Sequence, residues 1–400
     1  MKRATTITVG LVLTLALLTA VGPFANDMYT PSFPEVTTSL DTTSTMVGLT
    51  LAAFFVGMGL GQVFGGTLSD RLGRRGPILV GGVVCTLGGL GCVLAPSIGW
   101  LIVARVIQGL GGGATAAIAR AVAVDMATGD RLARVMTLLG AVFGLAPVLA
   151  PVFGGIIASV ASWRVVFWIL AGLGVVMTTI AWAVVPESLP PERRHAAGSR
   201  FVHMVGQLLH TPAFVGYMIV NGFSSAALIA YIADSSYAMQ GVVGMTPLAY
   251  SLFFAGNALV NMLLSFLNSW LVGRFRPRAL IRVGLAISSA GVALLAVSVF
   301  ALGTSLVPTG AGFVLLLSGQ AFIFGNSQAL ALAPVRHIAG TASAVMGLVG
   351  SLVNAGVAPL ASSGGMTSAV PMAIVMLAGA IGAWVTYVVV GRAAGARVLS

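Results

Sequence analysis

Ile7-Thr-Val-Gly-Leu-Val-Leu-Thr-Leu-Ala-Leu-Leu-Thr-Ala-Val-Gly-Pro-Phe24 carries no charged residue. It is about the length that takes a helix across the hydrocarbon core of a bilayer. Ala25-Asn26-Asp27 follows and places a carboxylate at its far end, ahead of Met28-Tyr29-Thr30-Pro31-Ser32-Phe33-Pro34. An ionisable group at membrane depth is costly and reads first as functional. Position alone also fits an ordinary acid just outside the lipid. A lone arginine, Arg105, sits at similar depth in a later apolar span, so the two opposite charges read as one site. On the other side, Lys2 and Arg3 give the run the look of a leader peptide. Pro23 and Ala25 make a poor small-x-small cleavage site, and the next span follows at normal spacing, so the run reads as a first span.

Composition extends this reading to the whole chain. Apolar residues make up 58% and charged ones 7%, against roughly 25% charged in a soluble domain. The 400 residues have room for on the order of twelve spans. The expected fold class is an all-α membrane protein with twelve transmembrane helices in two six-helix halves. After the first span, apolar stretches run at about 45–68, 78–95, 100–124, 135–160 and from Trp163 to near Pro186. The longest polar connection, 187–211, separates an N-terminal half (1–186) from a C-terminal half (212–400). The second half has stretches at about 212–233, 247–272, 280–302, 306–330, 343–361 and 367–390. The 52 glycines suit helices that pack backbone to backbone in lipid, and Gly57, Gly61 and Gly65 fall on one helix face.

Arginine and lysine set the orientation. With the N-terminus inside, the cytoplasmic segments collect every basic residue except Arg105, within a span, and Arg164, at an outer helix start. This positive-inside pattern puts both termini in the cytoplasm and Asp27 at the outer end of span one. The net charge of +11 therefore reports orientation; no basic helix or aromatic platform suggests nucleic acid.

The enzyme classes find little support. Lys2 is the only lysine, which removes a phosphate-loop lysine and an intramembrane Schiff base. Cys85 and Cys92, seven residues apart on one expected helix, are separated by about 10 Å and read as packing residues. His195, His203, His210 and His337 all fall in expected cytoplasmic segments and make no metal-ligand cluster. No cofactor is expected beyond the proton as coupling ion.

Transport has more behind it. Asn257, Asn261, Ser265 and Asn268 share one face of span eight; Gln320, Phe324 and Gln328 share one of span ten; Ser343, Gly347, Ser351 and Asn354 share one of span eleven. In lipid such faces point inward. Singly, each group reads as an interhelical hydrogen bond worth on the order of 0.6 kcal/mol. Together the three stripes read as a polar cavity between the halves.

Gly66-Thr-Leu-Ser-Asp70-Arg71-Leu-Gly73-Arg74-Arg75 resembles the signature between spans two and three of the major facilitator superfamily. Arg105-Val-Ile-Gln108-Gly109 is similar to its proton-linked motif, and Ala146-Pro147-Val-Leu-Ala-Pro151-Val-Phe-Gly154-Gly155 to its antiporter motif. Asn26-Asp27-Met-Tyr29-Thr-Pro31-Ser-Phe-Pro34 narrows the resemblance to drug/proton antiporters of the bicyclomycin-resistance (Bcr/CflA) type. Tyr231-Ile-Ala-Asp-Ser-Ser-Tyr237 resembles that family's seventh span. The resemblance covers essentially the whole chain and implies the major facilitator fold, with halves related by a pseudo-two-fold axis.

It also implies roles. Gly66, Asp70, Arg71, Gly73, Arg74 and Arg75 form a cytoplasmic latch between the second span and its partner in the other half. Pro147, Pro151, Gly154 and Gly155 make the fifth helix bendable and keep the outer side from leaking. Asp27 and Arg105 belong to the proton-coupling and substrate site, with Asn26 and Tyr29 as cavity contacts. Gln108, together with Asn257, Asn261, Gln320 and Asn354 of the polar stripes, reads as a further set of substrate contacts. Two departures stand out. Thr19 replaces a second carboxylate found in some relatives, and Asp234 stands where the family has a small or neutral residue. Asp234 reads either as a proton-coupling group or as a solvated acid at an outer helix end.

The expected function is proton-coupled efflux of amphipathic, neutral antibiotics across the bacterial inner membrane by a monomer, with lipid, drug and protons as partners. A proton symporter or importer of a small nutrient on the same fold is the alternative. A close Arg105 favours an ionised Asp27 and a dry pocket favours the protonated form, so the two arrangements are expected to alternate.

Overall fold

In the computed structural model of the chain, residues 8–194 and 199–396 are described. Lys2, Arg3, His195 and Arg397 lie outside them, as do the side chains of Arg193, Arg200, His203, His337 and Arg392. The described residues form helices and no sheet. In chain order these are α1 (Val9–Asp27), α2 (Phe33–Ser39), α3 (Ser44–Leu72), α4 (Arg75–Val93), α5 (Ile98–Met126), α6 (Gly129–Val160) and α7 (Trp163–Val184). They continue as α8 (Ser199–Leu209), α9 (Pro212–Ser236), α10 (Pro247–Leu271), α11 (Pro277–Ala301), α12 (Leu306–Leu332), α13 (Ala339–Ala361) and α14 (Val370–Ala396). Twelve helices among the described residues are long and apolar enough to cross a membrane, α1 counting together with α2 as one span and α8 not among them.

Local chemistry explains where these helices begin. The hydroxyls of Thr8, Ser97 and Thr246 accept the backbone N–H of Leu11, Trp100 and Ala249, filling donors that a helix start leaves open. Pro212, Pro247 and Pro277 each open a helix, where the missing N–H is not needed.

Contacts group the chain into two units, Met1–Leu40 with Ala53–Gly198 and Asp41–Ala52 with Ser199–Ser400. In the first, α1 packs on α5, α6 and α7, and α4 packs on α5 and α7. Leu11, Leu15, Leu18, Ile78, Ile118 and Val122 form part of its core. One close seam, between α3 and α5, is built of glycine. A Cβ at Gly57 or Gly61 would run into the α5 backbone at Val106 and Leu110, and one at Gly109 or Gly113 into the α3 backbone at Phe54 and Met58. In the second unit, α9 packs on α12, α13 and α14, and α11 lies along α12. Cys85 and Cys92 are buried and unbridged.

Three elements differ from the sequence expectation. The segment 66–72, expected as a loop, is the end of α3, and the turn is confined to Gly73 and Arg74. Hydropathy marks where lipid ends, whereas the backbone hydrogen-bond ladder continues until Gly73 adopts φ +97°. Span seven continues beyond Ala233 through Ser236 into a π-helical turn, Tyr237–Val242. The 187–211 connection contains α8, whose apolar Val205 and Leu208 repeat at helical spacing and whose Leu208 is fully buried against the second unit's core.

The glycine seam yields a direct test. Gly61→Val forces side-chain atoms into the α5 backbone, and overpacking of this kind costs about 1–3 kcal/mol. A clear fall in the thermal midpoint of the purified protein is expected. Gly140→Val, at a position with open space around it, should leave the midpoint nearly unchanged. Equal effects from the two would contradict the seam.

Candidate functional site

The last turn of α1 brings Asn26 and Asp27 into the interior of the first unit, each only 5% exposed. Arg105, from the first third of α5, is 0% exposed. Burying a guanidinium without partners costs several kcal/mol, and this one is met from three directions. It donates to the Ala25 carbonyl at 3.1 Å, to Gln108 Oε1 at 2.8 Å and to Asn26 Oδ1. Its Cζ also lies 4.3 Å from the Phe54 ring centre and 5.3 Å from that of Tyr29. A desolvated cation–π contact contributes up to about 2 kcal/mol and a hydrogen bond to a charged group about 1.5–3 kcal/mol. Together they offset the burial.

Of the two arrangements expected to alternate, this conformation has Asp27 and Arg105 apart: no ion pair joins them, and the guanidinium holds Asn26 and Ala25, the two residues before Asp27. The reason is geometric. Successive helix residues point about 100° apart, so a group seated on Asn26 is turned away from its neighbour. Asp27 is also not an interfacial acid, since it is buried within protein.

Aromatic packing fixes the frame. Tyr29, fully buried, meets Phe33 edge-on at 4.8 Å and Phe167 at a tilt at 5.0 Å. Below it, Trp163 donates its backbone N–H to both Glu35 oxygens, at 3.0 and 3.1 Å, and its indole N–H to Ser39 at 3.0 Å. A carboxylate at the start of α7 satisfies an open N–H and complements the helix dipole. Ser32, in the turn after Tyr29, keeps a buried hydroxyl without a partner. Beside Gln108 opens an apolar cavity of about 180 Å³, lined by Leu17, Val21, Phe24, Gln108, Thr115 and Leu173 among others. Gln108 thus faces the cavity and the arginine at once.

In the second unit the polar stripes are joined to neighbouring helices. Asn257 donates to the Tyr231 hydroxyl at 3.2 Å, Asn261 to the Leu317 carbonyl at 2.7 Å, and Gln320 to the Ser224 carbonyl at 3.1 Å. Asn354 accepts from Ser225 at 2.8 Å. Asn326, which the stripe pattern missed, donates to Asn268 at 2.8 Å. Phe324, placed on the Gln320 face, is exposed. Asp234 is not a solvated acid: it is 0% exposed, and neither carboxylate oxygen has a hydrogen-bond partner. Its helix continues past it into the π turn, which keeps the side chain inside the packed bundle. Among the described residues no three His, Cys, Asp or Glu side chains converge as a metal would require.

The charged segment at 66–75 is tied down within the first unit. Arg74 reaches Asp70 at 2.6 Å, Ser69 at 2.8 Å and Asp125, at the end of α5, at 2.8 Å. Burial alone pulls the Arg74 guanidinium down, but Asp125 and Asp70 outweigh it and hold the group above its ordinary range. Arg75 donates to the Trp182 carbonyl at 2.9 Å. Glu187 accepts the backbone N–H of Arg74 at 2.8 Å, of Leu189 at 2.9 Å and of Arg75 at 3.3 Å. A side chain at Gly73 would collide with Glu187. Partial burial pushes the Glu187 carboxyl up, yet these N–H groups, with Arg194, bring it below the usual carboxylate range. Gly66 has open space around it. Pro147 and Pro151 lie inside the continuous α6, where Gly154 and Gly155 are buried and Gly154 sits against the Met28 backbone.

Sequence reading missed Asp125, Glu187 and Glu35. The available signal was scarcity: only nine acids occur in the chain, and Asp125 and Glu187 lie at expected span ends, where a carboxylate serves an arginine or open N–H groups; Glu35, in the connection after span one, carried no such mark. For Glu187 the sign is definite. Its folded-state affinity for protons is weakened, so its stabilisation is present at neutral pH and is lost as pH falls through the carboxylate range, about 4. Glu187→Gln should lower the thermal midpoint at neutral pH and narrow the difference between neutral and acidic midpoints. An unchanged acid dependence would contradict the capping role.

Residues 15–359 match the family model described as Major Facilitator Superfamily. The chain is 32% identical over 367 residues to a bicyclomycin resistance protein homolog of Haemophilus influenzae, covering 91% of this chain and 92% of that one. It is 26% identical over 326 residues to a multidrug resistance protein MdtL of Vibrio parahaemolyticus, covering 82% of each. A crystal structure of a bacterial homolog to the human lysosomal transporter Spinster matches with a TM-score of 0.76 at 19% identity, covering 96% of each chain. At that identity the likeness speaks for the fold. With twelve membrane-length helices and a family match across most of its length, the chain belongs to the major facilitator superfamily.

Proposed function

We propose that the chain exports neutral, amphipathic drugs across the bacterial inner membrane in exchange for protons, by alternating access, as a monomer with both termini in the cytoplasm. The observation that carries this reading is the Arg105 cluster: a fully buried cation bonded to Asn26 and Gln108, beside the buried Asp27, with Gln108 facing an apolar cavity. The names of relatives, a bicyclomycin resistance homolog and a multidrug resistance protein, support drugs as the cargo class.

In the proposed cycle Asp27 takes up a proton from the outer side and releases it inward. With Arg105 committed to Asn26, Asp27 lacks a counter-charge and favours the protonated form. Drug at Gln108 competes for the Gln108 oxygen that Arg105 holds. The freed guanidinium then turns toward Asp27, and the proton leaves as the pair forms. The coupling needs no nucleotide. One proton moving down about 100 mV supplies about 2.3 kcal/mol, enough to concentrate a neutral solute nearly fifty-fold.

Vesicles energised by a proton gradient test this with chloramphenicol as the neutral probe. Efflux should collapse on addition of a protonophore. Asp27→Asn should abolish concentrative efflux, and extrusion by that variant with the parent's pH dependence would overturn the assignment. Arg105→Lys retains the charge but loses the planar fork that holds several acceptors at once, and should slow efflux by at least about tenfold, the equivalent of one charge-assisted bond. Gradient-driven uptake of a small nutrient, without efflux of the probe, would instead favour the symporter reading.

A further inference from the structure

We infer that Asp234 is a second proton-binding site, built into the seam between α9 and α14 of the second unit. The inference goes beyond the Asp27 cycle, which assigns Asp234 no part.

Sequence isolates the group. Asp234 is the only charged or histidine residue between His210 and Arg274, and none occurs in 283–335 or 338–391. The spanning parts of α10, α12, α13 and α14 therefore offer it no cation. Arg336 and the basic residues of α8 belong to segments that meet the opposite, N-terminal end of α9, around Phe214 and Tyr217. The titratable neighbours along the chain are Tyr231 and Tyr237, with Tyr250 on α10.

Geometry then places it. Gly216 lies against Val390, Phe223 against Gly379 and Gly382, Ala227 against Gly379, and Gly241 against Met366. Positions 216, 223, 227, 234 and 241 form one helical stripe, and the antiparallel register sets Asp234 opposite the first turns of α14. There Ala369, Met372, Ala373 and Met376 are buried and apolar. Adjacent polar groups are engaged elsewhere: Ser235 with the Tyr250 hydroxyl at 2.9 Å, Ser236 with Gln240 at 2.7 Å, and the Tyr231 hydroxyl with Asn257. Neither Asp234 oxygen finds a partner.

An ionised carboxylate left unpaired in such a seam is much costlier than an unpartnered neutral carboxylic acid. Closure of the seam and protonation are therefore linked. With the seam closed the carboxylate oxygen holds a proton taken from water, and opening lets water receive it back. The π-helical turn at Tyr237–Val242 adjoins the site; such turns are frequent at functional positions. No redox partner or second substrate is involved.

Infrared difference spectroscopy on the purified full-length chain, without ligand, reads the state of the group directly. The measurement is made in an Asp27→Asn background, which removes the other acid buried inside a spanning helix and keeps this test separate from that of the Asp27 cycle. A carboxylic-acid carbonyl band is expected at neutral pH, absent when Asp234→Asn is added and shifted in frequency by Asp234→Glu. If neither variant folds, the band in the Asp27→Asn protein decides, because the remaining acids lie at helix ends or in connections. Absence of the band at neutral pH overturns the proposal. So does loss of ethidium binding on Asp234→Asn with no spectral change, which would make the group a recognition site for organic cations.

Discussion

A guanidinium in the middle of a membrane bundle has to be answered by its surroundings, and the first unit is arranged to answer Arg105. Its acceptors come from α1 and from its own helix, and its flat faces meet Phe54 of α3 and Phe167 of α7. That demand explains why α1 keeps its helical course past Phe24 to Asp27: ending it earlier would remove both the Asn26 amide and the Ala25 carbonyl. It also explains the close glycine seam between α3 and α5, since Phe54 reaches the arginine only when the two backbones nearly touch. Through Gln108 the same cation adjoins the apolar cavity, and the proposed cycle builds on that adjacency.

A second constraint operates at the helix starts. Glu35 accepts the first N–H of α7, and Glu187 accepts those at the start of α4. In a chain with so few acids, two are spent on open N–H groups and two more, Asp70 and Asp125, on Arg74. The segment that family resemblance marks as a latch is thus anchored inside its own unit by a carboxylate network. Gly73 is required there because its backbone turns through positive φ while Glu187 closes over it.

Much of this could be read from the residues alone. Twelve apolar stretches located the spans, and the Asp27, Arg105 and Gln108 positions were visible as polar groups in apolar surroundings. Pairing was not legible, because hydropathy reports depth and not direction: Asn26 and Asp27 are neighbours in sequence yet face different partners. The same limit hid the burial of Asp234, whose helix continues through polar Ser235 and Ser236 where an apolar pattern would stop. The stripes do not show pairing either: Asn257, Asn261, Gln320 and Asn354 each meet a partner on another helix, whereas Phe324 and Ser343 of the same stripes are exposed. The amphipathic α8 escaped because an eleven-residue polar-apolar helix looks like linker to a search for spans.

The account rests on a proton leaving Asp27 when cargo draws Arg105 away from its present partners. The most direct measurement is proton release on addition of chloramphenicol to the purified, weakly buffered full-length chain, followed with a pH indicator. The account predicts release from the parent protein near neutral pH and none from Asp27→Asn. Equal release from both proteins would contradict it.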